Sequence, residues 1–407
     1  MCGSLAAGPW VAIQYSGIGA RWLSEGGWGI RIQARTAGSE REDREAAFYV
    51  RSLPALTPRD YEAHIRGEGY VGQDRAVRAL SLGAYRHVSR LRRIYLQGDK
   101  RERLPSKSNM LFVGPTGCGK TFLVELLFRD ILKLPTVVVD MTGFSETGYV
   151  GQDVGSILTR LLYAADMNLP LASIGVVCLD EFDKLASGQN SAVFAGAGTT
   201  KDVSGMGVQR ELLKMMESIE MPIPLEYTHS DYAPKAVLST QDIAFIACGA
   251  FSGLKGVMEQ SGKEHIGFGR DPLSGEQARI AVSYQADEVD LARNFMNYGF
   301  LPELIGRFKR IVPFQALDRG QLAQILDSSL LTQYRHEFAM EGKELRIDGE
   351  VLRAVVEESL RKETGARALE ATLLKYLEDA AFECYSMPHS RTVSLGFREG
   401  QVVYEVS

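Results

Sequence analysis

The chain has 407 residues, 45% of them hydrophobic, enough apolar material for two or three domain cores. A formal net charge of −5 gives no global pull toward nucleic acid or anionic membranes, and no uninterrupted apolar stretch is long enough to suggest a membrane span. The cysteines (Cys2, Cys118, Cys178, Cys248 and Cys384) show neither zinc-ligand spacing nor a disulfide framework, so a reducing, cytoplasmic setting is expected.

Residues 1 to about 50 hold all three tryptophans, and Glu25 is their only acid before Glu40. They lack a convincing Arg-rich amphipathic helix and read as a loosely ordered extension or docking segment rather than a transit peptide. Helix signals then become regular. Thr57 suits an N-cap, Pro58 the first helical position and Asp60 the first turn. Residues 74–97 read as one helix, with Ala76, Leu80, Leu82, Ala84 and Tyr85 as its apolar stripe. Strand-like runs at 110–113, 136–139, 174–179 and 243–248 alternate with helical stretches, which predicts an α/β fold with a doubly wound parallel sheet. After Pro313 the pattern changes to helices (319–330, 350–361, 366–385) and a closing strand pair around 391–405, a smaller and mainly helical unit. The expected division is an extension at 1–55, a large domain at 56–314 and a small domain at 315–407.

Gly114-Pro115-Thr116-Gly117-Cys118-Gly119-Lys120-Thr121 is a complete phosphate-binding loop. An apolar strand-like run ends at Val113 and a helical pattern opens at Phe122, the context that this loop requires. Backbone N–H groups of the glycine-rich turn suit the β-phosphate of ATP. Lys120 adds a cation for the β/γ-phosphates, and the Thr121 hydroxyl suits Mg²⁺. Sixty positions after Lys120, an all-apolar run ends in Asp180-Glu181-Phe182-Asp183. Asp180 falls where α/β sheets bind ligands and is expected to hold Mg²⁺. Glu181 is expected to orient and deprotonate the attacking water, which makes the chain a hydrolase rather than a binder. Asp183 reads as a helix-capping acid.

Gly-Tyr-Val-Gly-Gln-Asp occurs twice, at 69–74 and 148–153. In the first copy Tyr70 and Val71 can pack on a base. In the second, Tyr149 sits between glycines in a loop, poorly placed for core packing and suited to gripping something. Arg307 offers a planar cation fit for a phosphoryl transition state, and Arg367 opens a helix, where its charge opposes the dipole and asks for an anion.

Taken together, these segments resemble the ClpX family of AAA+ unfoldases, which feed proteins to the ClpP peptidase. The match runs in order through Tyr70-Val71-Gly72-Gln73, the loop 114–121, Gly148-Tyr149-Val150-Gly151, Leu179-Asp180-Glu181, Lys201-Asp202-Val203-Ser204-Gly205, Ile266-Gly267-Phe268, Gly306-Arg307 and Thr364-Gly365-Ala366-Arg367. It covers roughly residues 57–388. The resemblance implies an adenine pocket at Tyr70 and Val71, MgATP hydrolysis by Lys120, Thr121, Asp180 and Glu181, and a homo-hexamer in which Arg307 reaches a neighbour's site. It further implies that Arg367 senses the γ-phosphate, that Tyr149 and Val150 push on an unfolded or tagged polypeptide in the pore, with 198–205 as a second pore loop, and that Ile266, Gly267 and Phe268 dock a ClpP-like peptidase.

Some family features are not matched. The paired cysteines of the family's zinc-binding module are missing, residues 221–241 carry little positive charge where a basic loop is expected, and Ala247-Cys248-Gly249-Ala250-Phe251 brings a thiol to the position expected to sense the γ-phosphate. The related HslU unfoldases carry a large insertion between the two nucleotide motifs, for which sixty positions leave no room. A non-proteolytic remodelling chaperone is the rival from another class. A nucleic-acid motor is disfavoured by pore segments that are not basic.

Overall fold

The computed structural model describes residues 34–144, 153–186, 205–217, 220–224, 235–254, 292–362, 364–387, 389 and 391–407. The sequence readings on Tyr149, Val150, 198–204 and Ile266-Gly267-Phe268 fall outside them.

Three helices lead the chain: α1 (Ala34–Ser52), α2 (Pro58–Gly67) and α3 (Asp74–Gln97). Thr57 is the N-cap of α2 and Asp60 lies in its first turn, as expected, and the two go further and form a capping box, each side chain satisfying a backbone N–H of the other's turn. A five-stranded sheet follows in the order β2-β3-β6-β1-β7, every neighbouring pair parallel. Its strands are β1 (Met110–Val113), β2 (Thr136–Asp140), β3 (Val176–Asp180), β6 (Ala244–Gly249) and β7 (Arg310–Pro313). Between them come α4 (Lys120–Val124), which runs on as a π-helical segment Glu125–Ile131, then α5 (Ser156–Ala164), α6 (Leu169–Ala172) and α7 (Met206–Met216). An antiparallel pair, β4 (Glu220–Pro224) and β5 (Lys235–Ser239), stands apart from the sheet, and α8 (Ala292–Tyr298) and α9 (Pro302–Ile305) precede β7.

The strands read as continuous apolar runs because both sheet faces are covered. Leu111, Val113, Val177, Leu179, Phe245 and Ala247 belong to one buried cluster with α5 and α7. Met110, Phe112, Val176, Cys178, Ile246 and Cys248 belong to a second, with α2 and α3. Alternate residues of one strand thus serve opposite cores, as the period of two requires.

A third core lies beyond β7. There α10 (Arg319–Ile325) passes through the π-helical segment Leu326–Leu330 into α11 (Leu331–Met340), followed by β8 (Glu344–Ile347), α12 (Gly349–Arg361), α13 (Ala366–Ser386), β9 (Thr392–Arg398) and β10 (Gln401–Val406). Leu322, Phe338, Val355, Leu369, Leu373 and Leu395 fill it. Strand β9 pairs antiparallel with β10 and parallel with β8.

Three expectations are corrected. Helix α1 is no loose extension: Val50 is fully buried with α3, and Asn168 Nδ2 donates to the Tyr49 hydroxyl at 3.0 Å. The helix expected to stop at 330 continues to Met340. On α3 the buried stripe is Ala76, Leu80, Ala84, Val88 and Leu91, at the spacing of helical turns, while Leu82 is half-buried and Tyr85 exposed, each turned away from that face. Among the described residues no helix is long and apolar enough to cross a membrane.

His87 of α3 is buried, 3.3 Å from the Ile174 carbonyl and edge-on to Phe128. Burial holds its pKa down at about 4, partly countered by the carbonyl and by Asp242, while Arg90 and Lys107 lower it further. The unfolded imidazole titrates near ~6.5, so it binds the proton first as pH falls. Stability from this site is complete above ~6.5 and declines from there toward ~4. Urea midpoints measured across that window will fall with pH, and His87→Gln, which keeps a donor for Ile174, will flatten that part of the slope.

Candidate nucleotide site

The site forms where β1, β3 and β6 end side by side. The Gly114 N–H donates to the Gly249 carbonyl (3.2 Å), joining the start of the loop to the end of β6. Gly117 and Gly119 take φ of +74° and +87°, a region that side chains rarely enter. There is no room for one either. A Cβ on Gly117 would lie 2.0 Å from the Thr364 carbonyl oxygen, and one on Gly119 would lie 3.0 Å from the Tyr70 hydroxyl. The loop ends at Lys120, which begins α4. Its ammonium is buried and donates to the Gly114 and Pro115 carbonyls at 2.7 and 2.8 Å. Thr121 Oγ1 donates to Asp180 Oδ2 at 2.8 Å, so hydroxyl and carboxylate from the two motifs converge on one point.

At the end of β3, Asp180 Oδ1 accepts the N–H of Glu181 (2.9 Å). Glu181 has φ +51°, a left-handed turn that is uncommon for a residue with a side chain. Such strain is kept only where the surroundings enforce it; here the next residue, Phe182, is fully buried and stacks on Phe300. Asp183 differs from its sequence reading. It caps no helix: it is buried in the turn Phe182–Leu185, its Oδ1 accepts the Ala250 N–H (3.0 Å), and its Oδ2 makes no hydrogen bond, with the Lys184 ammonium 3.9 Å away. The turn after β3 is thus tied to the end of β6. Cys248 does not face the site. It is fully buried, 3.8 Å from the sulfur of Cys178, and Gly249 and Ala250 are the residues of that segment on the cavity wall.

The cavity enclosed by these elements has a volume of about 460 Å³, within the range of small-ligand sites. Tyr70, Val71, Thr116 to Phe122, Asp180, Glu181 and Asp183 line it. Tyr70 is buried, donates to the Gly119 carbonyl at 3.2 Å and stacks on Phe122, the half-exposed residue of the pair. Burial raises both its hydroxyl pKa and that of the Cys118 thiol. The third core closes the cavity through Leu317, Ile325, Ser329, Ala366 and Arg367. Here the Ala366 N–H donates to the Gly117 carbonyl at 3.0 Å. Sequence reasoning missed Leu317, Ile325 and Ser329, because an apolar helical stripe does not reveal which residue meets a cavity. Arg307 lies elsewhere: its Nη2 pairs with Glu217 Oε1 at 2.5 Å, both side chains about 40% exposed.

The parts match MgATP. The glycines leave a cradle that a Cβ would fill, Lys120 supplies a cation, Thr121 and Asp180 supply hard oxygen donors, and Tyr70 and Val71 supply an apolar wall. A parallel sheet with this loop after β1, an Asp-Glu pair at the end of β3 with β6 between the two strands, and a helical unit closing the cavity defines an AAA+ ATPase. A family model described as an AAA domain (Cdc48 subfamily) matches residues 105–311, and one described as the C-terminal, D2-small domain of ClpB protein matches 317–387. Relatives named ATP-dependent Clp protease ATP-binding subunit ClpX are 37% identical in Azotobacter vinelandii (89% of this chain, 81% of that protein) and 34% identical in Borrelia duttonii (87% and 80%). One named ClpX 2, in Wolinella succinogenes, is 36% identical (80% and 77%). The chain belongs to the ClpX family.

Gly117→Ala tests the loop. The left-handed backbone alone costs roughly 1–2 kcal/mol for an L-residue, and the contact with Thr364 adds to it. Thermal unfolding will show a lowered midpoint, and titration with a fluorescent ATP analogue will show binding lost by at least about tenfold, equivalent to ~1.4 kcal/mol.

Proposed function

We propose that this chain is an ATP-driven protein unfoldase and translocase, acting in a homo-hexameric ring as the ATP-binding specificity subunit of a ClpP-type protease. The observation that carries this reading is that both units build one cavity, with Ala366 bonded to Gly117 and Arg367 in the wall. A ligand there bridges a large domain ending near 314 and a small one beginning near 315, so its chemistry can change the angle between them.

In this reading Lys120, the loop N–H groups and Arg367 bind the phosphates. Thr121 and Asp180 would hold Mg²⁺, which would supply positive charge against those phosphates. Glu181 orients the attacking water and takes its proton. Arg307, which is not on its own cavity wall, completes a neighbour's site and stabilises the transition state. Leaving Glu217 costs little, because an exposed ion pair contributes only about 0–1 kcal/mol. Tyr149 and Val150 grip the polypeptide, 198–205 forms a second pore loop, and Ile266, Gly267 and Phe268 dock the peptidase. A target domain is stable by about 5–15 kcal/mol, so repeated hydrolysis can outlast a fold that re-forms between pulls.

Glu181→Gln is expected to bind ATP and hold substrate while hydrolysing at least about a hundredfold more slowly, read by phosphate release and substrate retention on a sizing column. Tyr149→Ala is expected to keep its ATPase rate and lose unfolding of a folded fluorescent substrate; normal unfolding would overturn the pore assignment. The whole reading is tested by degradation of fluorescent casein with purified ClpP and ATP, with and without deletion of 266–268. Loss of degradation with ATPase intact supports peptidase docking. An intact chain that hydrolyses ATP but degrades nothing points to a stand-alone remodeller.

A further inference from the structure

Gln209 lies in the first half of α7 and is fully buried. Its amide uses both donors and its acceptor on three backbone groups from two distant segments. Nε2 donates to the Leu185 carbonyl (2.8 Å) and to the Gly299 carbonyl (3.1 Å), and Oε1 accepts the Leu301 N–H (2.8 Å). Leu185 closes the turn that follows Glu181, where the Lys184 N–H is bonded back to the Glu181 carbonyl at 2.9 Å. Leu301 is the N-cap of α9, from which the chain passes through Gly306 to Arg307, with the Arg307 N–H bonded to the Leu304 carbonyl at 3.1 Å. Phe182 joins the same two segments through its ring, stacked on Phe300 at 5.1 Å and edge-on to Phe308 at 5.4 Å. Glu217, which follows α7 directly, holds the Arg307 guanidinium.

We infer that Gln209 is a positioning residue that links the hydrolytic turn of one site to the arginine the same subunit offers to the next. Ring packing alone lets two segments slide, because apolar contact has no direction. Hydrogen bonds fix their register, and in a buried site a half-broken set costs more than the bonds themselves. A shift of Glu181 moves Leu185, Gln209 must follow or leave buried carbonyls unpaired, and Leu301 is carried with it at the root of α9. The position of Arg307 then reports what Glu181 contacts. The inference rests on the reading of Arg307 as reaching a neighbour.

The test is hydrogen exchange of the peptide spanning 301–308 in Glu181→Gln rings, with and without ATP and Mg²⁺. With Gln209 in place, ATP is expected to change exchange in this peptide by about threefold or more. Gln209→Met conserves volume and removes all three bonds, and is expected to abolish that response while a fluorescent ATP analogue still binds with its affinity unchanged. Gln209→Glu keeps an acceptor for Leu301 but turns a carboxylate toward two carbonyls. It is expected to abolish the response too, and serves if the Met variant does not fold. A purely structural role would alter baseline exchange and leave the ATP response. The link is overturned if the response survives in either variant, or never occurs with Gln209 present. Arg307→Ala is assayed separately for hydrolysis: an unimpaired rate overturns the neighbour-reaching role itself, and with it the delivery to the next site, whatever the exchange data show.

Discussion

The phosphate loop and the small unit meet backbone to backbone. Gly117 and Gly365 lie so close that a Cβ on either would fall within 2.5 Å of the other segment, and the Ala366 N–H completes the contact on the Gly117 carbonyl. No side chain intervenes to absorb movement. The glycine-rich loop and the helix that carries Arg367 are therefore positioned together. Cavity shape, the location of Arg367 and the seating of Leu317 and Ile325 all depend on this approach.

The site itself is economical in polar side chains. Thr121 and Asp180 bind each other, Lys120 binds its own loop, and Asp183 secures Ala250. Each group is held in place by a neighbour that a phosphate or metal can replace or supplement. This is electrostatic preorganisation: donors and acceptors aimed before charge develops. The cysteines behind the loop contribute differently. Cys118, Cys178 and Cys248 are buried, and the contact with the Cys248 sulfur, together with burial, holds the Cys178 thiol well above its usual pKa and so protonated; they pack as small apolar groups.

Much of this was legible in the sequence, because local chemistry determines it. The loop 114–121 needs its glycines for backbone shape, the strands announce double-sided burial by unbroken apolar runs, and Thr57-Pro58-Arg59-Asp60 writes its own cap. What escaped depends on contacts between residues far apart in the chain. Asp183 looks like any acid after a strand until Ala250, 67 positions on, donates to it. Gln209 looks like a surface glutamine in a helix until Leu185, Gly299 and Leu301 close around it. The thiol of Cys248 is on the core side of β6 because strand alternation put it there, and alternation cannot be counted when every residue is apolar. Helix α1 was hidden by a composition dominated by the segment before it.

The Gln73 side-chain amide, two residues past the cavity wall at Tyr70-Val71, donates to the Gln315 carbonyl at 2.7 Å and accepts the Gln315 N–H at 3.0 Å, immediately after Phe314, where the chain leaves the sheet. The chain segment that leads from the sheet into the small unit is therefore tied down beside the cavity. Helix α13 begins at the loop and runs for 21 residues, about 30 Å at ~1.5 Å per residue. A rotation of roughly 15°, the size common in subunit switches, would sweep its far end through about 8 Å. That is more than one helical turn of ~5.4 Å. Any change of angle at the cavity end of α13 would thus be magnified along the helix, reaching its far end as a displacement of roughly two residues of extended chain.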